Sequence, residues 1–424
     1  MNGRDGVNPF TGFLATAGPV PLEAYDPEVA IWSGRLSSWR NHLGSGSVRA
    51  RSVGGAGWTD IEAEQACWGE AAERWRAAPT PLDQRIAARF DDWPGEEPCI
   101  EPERWVLFHP AQYDRLEFPF QPLTRRTLVR WVAMREALTG EPHWVPEELV
   151  YLDLSDDDAH RCTPGLSTGL AAGSADYPVV LRGLQEVVER DAVVGAWWGR
   201  YRISPVDPAD VWRWFDDDQR RAVQRPNLTY HFYQVATPWS AHAGVVVLTG
   251  EDRSSWLLSA GSAVRETRAA LWHKAVLEAI HSRHLVRFLT RAPSAATTVD
   301  RDPPGSSAPL FPRSFEEHAV YYCRYPAQWA DTPFARATAL FDGACDDDTC
   351  EGLPVLAERL GSRHPVLVRL LTPPALAPEW QVVRVLVPGL QPLHGRHDWP
   401  FLGGPLWAPR SPDDWSSVLP HPFP

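Results

Sequence analysis

Three stretches of this chain set charged residues three or four positions apart on what read as helix faces, and any fold that packs those helices together must neutralise them. They are ACWGEAAERW with Glu70 and Glu73, GLQEVVERDA with Glu186 and Glu189, and WHKAVLEAIHSR with Lys274, Glu278 and His281. Side chains at these spacings lie on one face of a helix. Five carboxylates gathered in one cleft repel one another too strongly to persist without cations. Magnesium, shared between carboxylates and substrate phosphates, is the obvious neutraliser. The pattern points to a nucleotide.

Composition narrows the reading. With 44% apolar residues and 21 Trp over 424 positions, the chain can bury a substantial core. Its formal charge of -13 and the lack of a long basic, aromatic-interleaved stretch argue against a nucleic-acid partner. A single nucleotide with its metal remains compatible. Six cysteines are too sparse for a disulfide-stapled secreted domain. The amino terminus lacks a basic region followed by an apolar one, and no apolar run approaches the ~20 residues of a membrane span. The expectation is a reduced, cytoplasmic protein with no membrane partner.

The organisation reads as α+β. Residues 1–45 are expected to be an irregular segment packed on the domain, and residues 46–424 the domain itself, ending in a Pro-rich tail from 405 to 424. A short strand should precede a Gly-rich turn at Gly54, Gly55 and Gly57, followed by a helix opened by a capping box of Thr59 and Glu62. LTRRTLVRWVAMREALTGEPHWVPEELVYL reads as strand, turn and strand around Gly140 and Pro142. The small-residue stretch from Gly165 to Gly173 reads as a loop leading to the second acidic helix near Pro178. VDPADVWRWFDDDQRRAV should be one short helix, and LTYHFYQVA and HAGVVVLTG two strands. SAGSAVRETRAALWHKAVLEAIHSRHLVRFLT reads as the longest helical stretch, with Gly261 just inside its start. Residues 291–312 read as an exposed loop. Cys345 and Cys350 lack a second ligand pair and are too widely spaced for a zinc knuckle, so a surface loop is expected there. His394 and His397 are read as structural or wall-forming rather than metal-binding.

At STGLAAGSADYPVVLRGLQEVVERDA the chain resembles the YcaO family, ATP-dependent enzymes that act on peptide amide oxygens. GGAGWTDIEAEQACWGEAAERW, AALWHKAVLEAIHSR, VVRVLVPGLQPLHGRHDWPFLGG and the terminal LPHPFP match the family's pattern in order, over roughly residues 50–424. The resemblance implies an α+β YcaO-type fold, with mixed sheets and helices carrying an acidic ATP and Mg2+ cleft. In it Glu70, Glu73, Glu186, Glu189 and Glu278 would hold magnesium, Arg190 and Lys274 would face phosphates, and Ser174 and His281 would be nucleotide contacts. The PxPxP ending of Pro420, Pro422 and Pro424 is similar to that of azoline-forming cyclodehydratases, and implies that the tail serves catalysis beside the active site.

Some positions depart from the family pattern. Ala56 and Ala66 stand where many relatives carry a lysine and a serine, Ser174 and Pro178 where an Asn and a Glu are usual, and His281 where a glutamine is expected. The implied activity is ATP-dependent cyclodehydration, in which a Cys, Ser or Thr side chain of a ribosomal precursor peptide closes a thiazoline or oxazoline ring. The implied partners are that peptide, a leader-binding subunit of ubiquitin-activating-like or ThiF-like type, and a downstream flavin dehydrogenase. A homodimer is compatible with this reading. The alternatives are a thioamide- or macroamidine-forming enzyme of the same family and a non-catalytic subunit that binds peptide or partner.

Overall fold

Three antiparallel sheets form the fold, one of them with a strand of alternating burial (Ser52–Gly57) and two with continuously buried central strands, and the acidic helices lie between them. The computed structural model describes residues 14–37, 52–79, 83–152, 161–253, 255–291, 310–343, 349–372, 379–408 and 410–424. The first sheet has the order β1-β2-β3, from β1 (Leu14–Pro19), β2 (Ala30–Leu36) and β3 (Ser52–Gly57). The second joins β4 (Ile86–Ala88), β5 (Val129–Glu136), β12 (Leu367–Leu370), β13 (Trp380–Leu386) and β7 (Leu170–Ser174) in that order, with β6 (Pro142–Pro146) also on β5. The third runs β11-β10-β9-β8, from β8 (Arg202–Val206), β9 (Leu228–Ala236), β10 (Ala243–Asp252) and β11 (Ser255–Val264).

Helix α1 (Asp60–Arg76) packs on β2 and β3 and touches β7, so it joins the first sheet to the second. Helix α2 (Val179–Trp197) packs on β13, β7 and β11, joining the second to the third. Helix α3 (Arg268–Arg291) lies on β11 and β10 and reaches β3, closing the ring of contacts. Helix α4 (Phe315–Arg324) covers β11 beside α3. Because each acidic helix is held between two sheets, the charged faces of the three turn toward one junction.

Two glycines make that packing close. A Cβ on Gly55 of β3 would sit 2.3 Å from the Cys67 backbone nitrogen of α1, and one on Gly261 of β11 would sit 2.4 Å from backbone atoms of Ala275 and Ala279 on α3. Neither helix could approach its strand with a side chain there. The anticipated turn at Gly54, Gly55 and Gly57 is therefore strand β3. For the same reason Gly261 belongs to a strand: residues 255–264 pair along their whole length with β10, and the helix begins only at Arg268. The run SAGSA has no strong period of its own, so its small residues fit a helix or a strand, and packing decides.

Other expectations are refined. The Thr59 and Glu62 capping box is present, and Gly140 and Pro142 do mark the turn between β5 and β6. Part of the expected 165–173 loop is β7, and Pro178 is the N-cap of α2. VDPADVWRWFDDDQRRAV forms two helices, 208–212 and 217–223, because Asp216 opens the second with its own capping box to Gln219. The 292–309 part of the expected exposed loop, and Cys345, lie outside the described residues.

Within the amino-terminal segment expected to be irregular, residues 14–19 and 30–36 form β1 and β2. The segment between those strands is tied down by a buried ion pair: Arg287 of α3 donates both terminal nitrogens to Asp26, one at 2.7 Å, while Asp26 also accepts the Glu23 N–H at 2.8 Å. Burial alone would raise the Asp26 pKa, but these bonds outweigh it and hold it below the ordinary 3.8. A carboxyl depressed on folding stabilises above its unfolded pKa and loses that contribution as pH falls through the folded one. Asp26→Asn should therefore flatten the loss of thermal stability of the wild type below about pH 4. Parallel melts of the two proteins from pH 3 to pH 7 test this, and curves of identical shape would refute it.

Candidate functional site

Each acidic helix contributes carboxylates to one junction, and backbone N–H groups of neighbouring strands and loops orient them. Glu70 accepts the Gly54 N–H of β3 at 2.8 Å, Glu73 the Ala172 N–H of β7 at 3.0 Å, and Glu186 the Gly169 N–H at 3.0 Å. Glu189 accepts the Ser262 hydroxyl of β11 at 2.7 Å. Glu278 pairs with Lys274 one turn earlier on α3, at 3.2 Å.

Arg190 ties the group together. Its guanidinium lies 3.8 Å from Glu186 and 3.5 Å from Glu189, and these two carboxylates with Glu278 hold it charged against the cost of burial. Arg74 pairs with Glu70 at 3.4 Å. Burial raises the Glu73 pKa well above the usual carboxylate range, and the charge of Glu186 from the neighbouring helix adds to the effect. Burial also pushes Glu189 up to about 7, with Arg190 opposing and Glu278 adding. For Glu278 the attraction of Lys274 and Arg190 exceeds the effect of burial, so it stays ionised, and its charge in turn disfavours ionisation of Glu189. Burial lowers the His281 pKa, against the attraction of Glu70 and Glu278. The carboxylates sense one another from α1 through α2 to α3, and His281 completes the circuit back to α1.

The structure thus brings together Glu70, Glu73, Glu186, Glu189, Glu278, Arg190, Lys274 and His281. Among the described residues, no hydrogen bond or ion pair links the exposed Ser174, at the end of β7, to this group. The tail comes near it by another route: Pro420 and Pro422 are buried and Pro424 half-buried, and between them His421 senses the charge of Arg190. The tail packs into the main core rather than extending freely, with Phe423 1% exposed.

Four polar contributors were not anticipated. Ser262 and Arg265 of the β11 end face Glu189, and Arg265 also acts on Glu278. Arg74 could have been found from its i,i+4 spacing to Glu70. Arg384 is a lone charge in the apolar strand VVRVLV, which was the available signal. It is 3% exposed, donates once to the Leu149 carbonyl at 2.6 Å, and leaves two further guanidinium nitrogens without a partner. Burial lowers its pKa to about 10, against the attraction of Glu186.

This donor set suits a hard divalent ion. It offers carboxylate oxygens in excess of the cations that pair with them, two of the carboxyls pushed towards protonation by burial, and a buried guanidinium with unused donors for an anion.

An α+β scaffold that gathers carboxylates and a few cations at one buried junction offers the donor set of a protein that holds a metal and a phosphate. Residues 54–391 match the model of the family described as YcaO cyclodehydratase, ATP- and Mg2+-binding, and the chain belongs to that family. Solved structures share the fold. A heterocyclase in complex with substrate and cofactor superposes with a TM-score of 0.68 at 19% identity, over 99% of this chain and 55% of its own. YcaO from Methanopyrus kandleri bound with AMPPCP and Mg2+ gives 0.57 at 18% identity, over 89% and 86%. The E. coli microcin synthetase McbBCD complex with pro-MccB17 bound gives 0.62 at 13%, over 98% of both. The chain thus spans about half the length of the first of these heterocyclases. A search of curated proteins finds no match. No helix among the described residues is long and apolar enough to cross a membrane.

Proposed function

We propose that the chain is an ATP- and Mg2+-dependent cyclodehydratase that forms azolines in a ribosomal precursor peptide. The observation that carries this reading is the convergence of carboxylates from three helices, with Glu186, Glu189 and Glu278 on Arg190 and Glu73 beside Glu186 and Glu70. Glu70, Glu73, Glu186, Glu189 and Glu278 would hold magnesium, which supplies charge neutralisation for the triphosphate. Arg190, Lys274 and Arg384 would face phosphate oxygens, and His281 the nucleotide.

The chemistry suits such a site. A Cys, Ser or Thr side chain adds to the preceding carbonyl carbon, giving a hemiorthoamide whose oxygen is a poor leaving group. That oxygen takes the γ-phosphoryl group of ATP, releasing ADP. The C–O bond then breaks and phosphate leaves with its electron pair as the nitrogen loses its proton and the C=N bond forms, so the peptide loses one water per ring. Phosphoryl transfer asks for positioning and neutralised charge, not covalent help from the protein. Backbone N–H groups from Gly54, Ala172 and Gly169 supply the positioning by fixing three glutamates with donors that have no side-chain entropy of their own to lose.

The solved McbBCD complex and the substrate-bound heterocyclase support a precursor peptide and partner proteins. We propose a ubiquitin-activating-like or ThiF-like subunit to bind the leader, and a flavin dehydrogenase to act downstream. Glu278→Gln and Glu73→Gln should each weaken Mg-ATP binding by the full chain at least about tenfold in titration calorimetry. Binding unchanged in both variants would sink the site assignment. With partner, peptide and ATP, mass spectrometry should show loss of one water per ring.

A further inference from the structure

We propose that His318, His394 and His397 form a second metal site, for zinc(II) or a similar transition metal, which staples the C-terminal tail to the core. All three are buried, at 0%, 2% and 3% exposure, and one ring nitrogen from each lies within 4.8 Å of the other two. His318 comes from α4, while His394 and His397 come from the irregular stretch after β13. Their ring centroids are 5.6, 6.2 and 6.1 Å apart. Three imidazoles on a tetrahedral metal at ~2.0–2.1 Å place their nitrogens roughly 3.3 Å apart. Small side-chain adjustments reach that geometry.

The hydrogen bonds leave the right atoms free. His318 Nδ1 donates to the His421 carbonyl at 2.9 Å, so its Nε2 carries the lone pair, and that nitrogen has no partner. The His397 ring bonds to the Val418 backbone, and its Nδ1 has no partner. Neither nitrogen of His394 has one. Metal-binding histidines characteristically donate the second ring N–H to a carbonyl in this way, which fixes tautomer and orientation. Here both carbonyls belong to the tail. Buried imidazole nitrogens left unpaired carry a desolvation cost that ordinary core packing does not offset. Burial keeps all three rings neutral, as ligands must be. An all-nitrogen set suits zinc, cobalt, nickel or copper, unlike the carboxylates of the nucleotide cleft.

The test uses the full chain. Elemental analysis after purification should find about one zinc per chain. After chelation, added Co2+ should give the intense visible absorption of a tetrahedral nitrogen site, absent in His394→Ala and in the milder His397→Gln. Glu73→Gln and Glu278→Gln should leave that spectrum unchanged. A measurement on the unmodified chain guards against unfolded variants: zinc should raise the melting temperature of the chelated protein and slow amide exchange at Val418, Leu419, His421 and Phe423 about tenfold. No bound zinc together with no tetrahedral cobalt spectrum would overturn the proposal. So would a spectrum lost in Glu278→Gln but kept in His394→Ala, and unchanged tail exchange would overturn the staple.

Discussion

Arg190→Ala will reduce ATP-dependent ring formation by at least roughly a hundredfold, the loss seen when one preorganised charge partner is removed from a buried electrostatic site. The guanidinium is the only cation within 4 Å of both Glu186 and Glu189 among the described residues, and it also attracts Glu278. Without it, carboxylates from α2 and α3 face one another with less compensation. Their protonation becomes the cheapest relief, which removes the ligands that a metal needs. Arg190→Lys restores charge but not the two-pronged geometry, so intermediate activity is expected. Steady-state phosphate release with peptide and partner present measures both variants. A second signature separates this from simple unfolding: raised Mg2+ should recover part of the stability lost in Arg190→Ala, as one cation substitutes for another. Wild-type turnover by Arg190→Ala would refute the role.

Phe423→Ala will destabilise the protein by about 3–5 kcal/mol, as large-to-small changes do in a well-packed core. The ring sits in the largest apolar cluster, 6.4 Å from the centroids of both Trp197 and Phe334. Around it, Tyr322 donates its hydroxyl to the Pro420 carbonyl at 2.7 Å and Trp197 its indole N–H to the Leu419 carbonyl at 2.7 Å. Deleting the last five residues should cost more than Phe423→Ala alone, because it takes the Pro420 carbonyl from the Tyr322 hydroxyl and the His421 carbonyl from His318 Nδ1 as well as opening a cavity. Thermal melts read both effects, and an unchanged midpoint for Phe423→Ala would show that the tail is not part of the core. Truncation therefore cannot by itself isolate a catalytic role for Pro420, Pro422 and Pro424.

The proline ending was legible, but its burial was not, because stiffness says nothing about what a segment packs against. The same limit applies at Gly55 and Gly261. A glycine in sequence signals permissive backbone, and only the neighbouring helix shows that the reason is close approach rather than a turn.

Local spacing carried its own meaning. The three-and-four spacing of Glu70 with Glu73, Glu186 with Glu189 and Lys274 with Glu278, and the Thr59 capping box, follow from helix geometry that repeats within a few residues. Contacts between distant residues had no such signature. Glu73 meets the Ala172 N–H 99 positions away, Glu189 meets Ser262 across 73, and His318 reaches the His421 carbonyl across 103. No periodicity spans those separations, so which helices met, which cations served them and where the histidines gathered were decided only when sheets and helices packed.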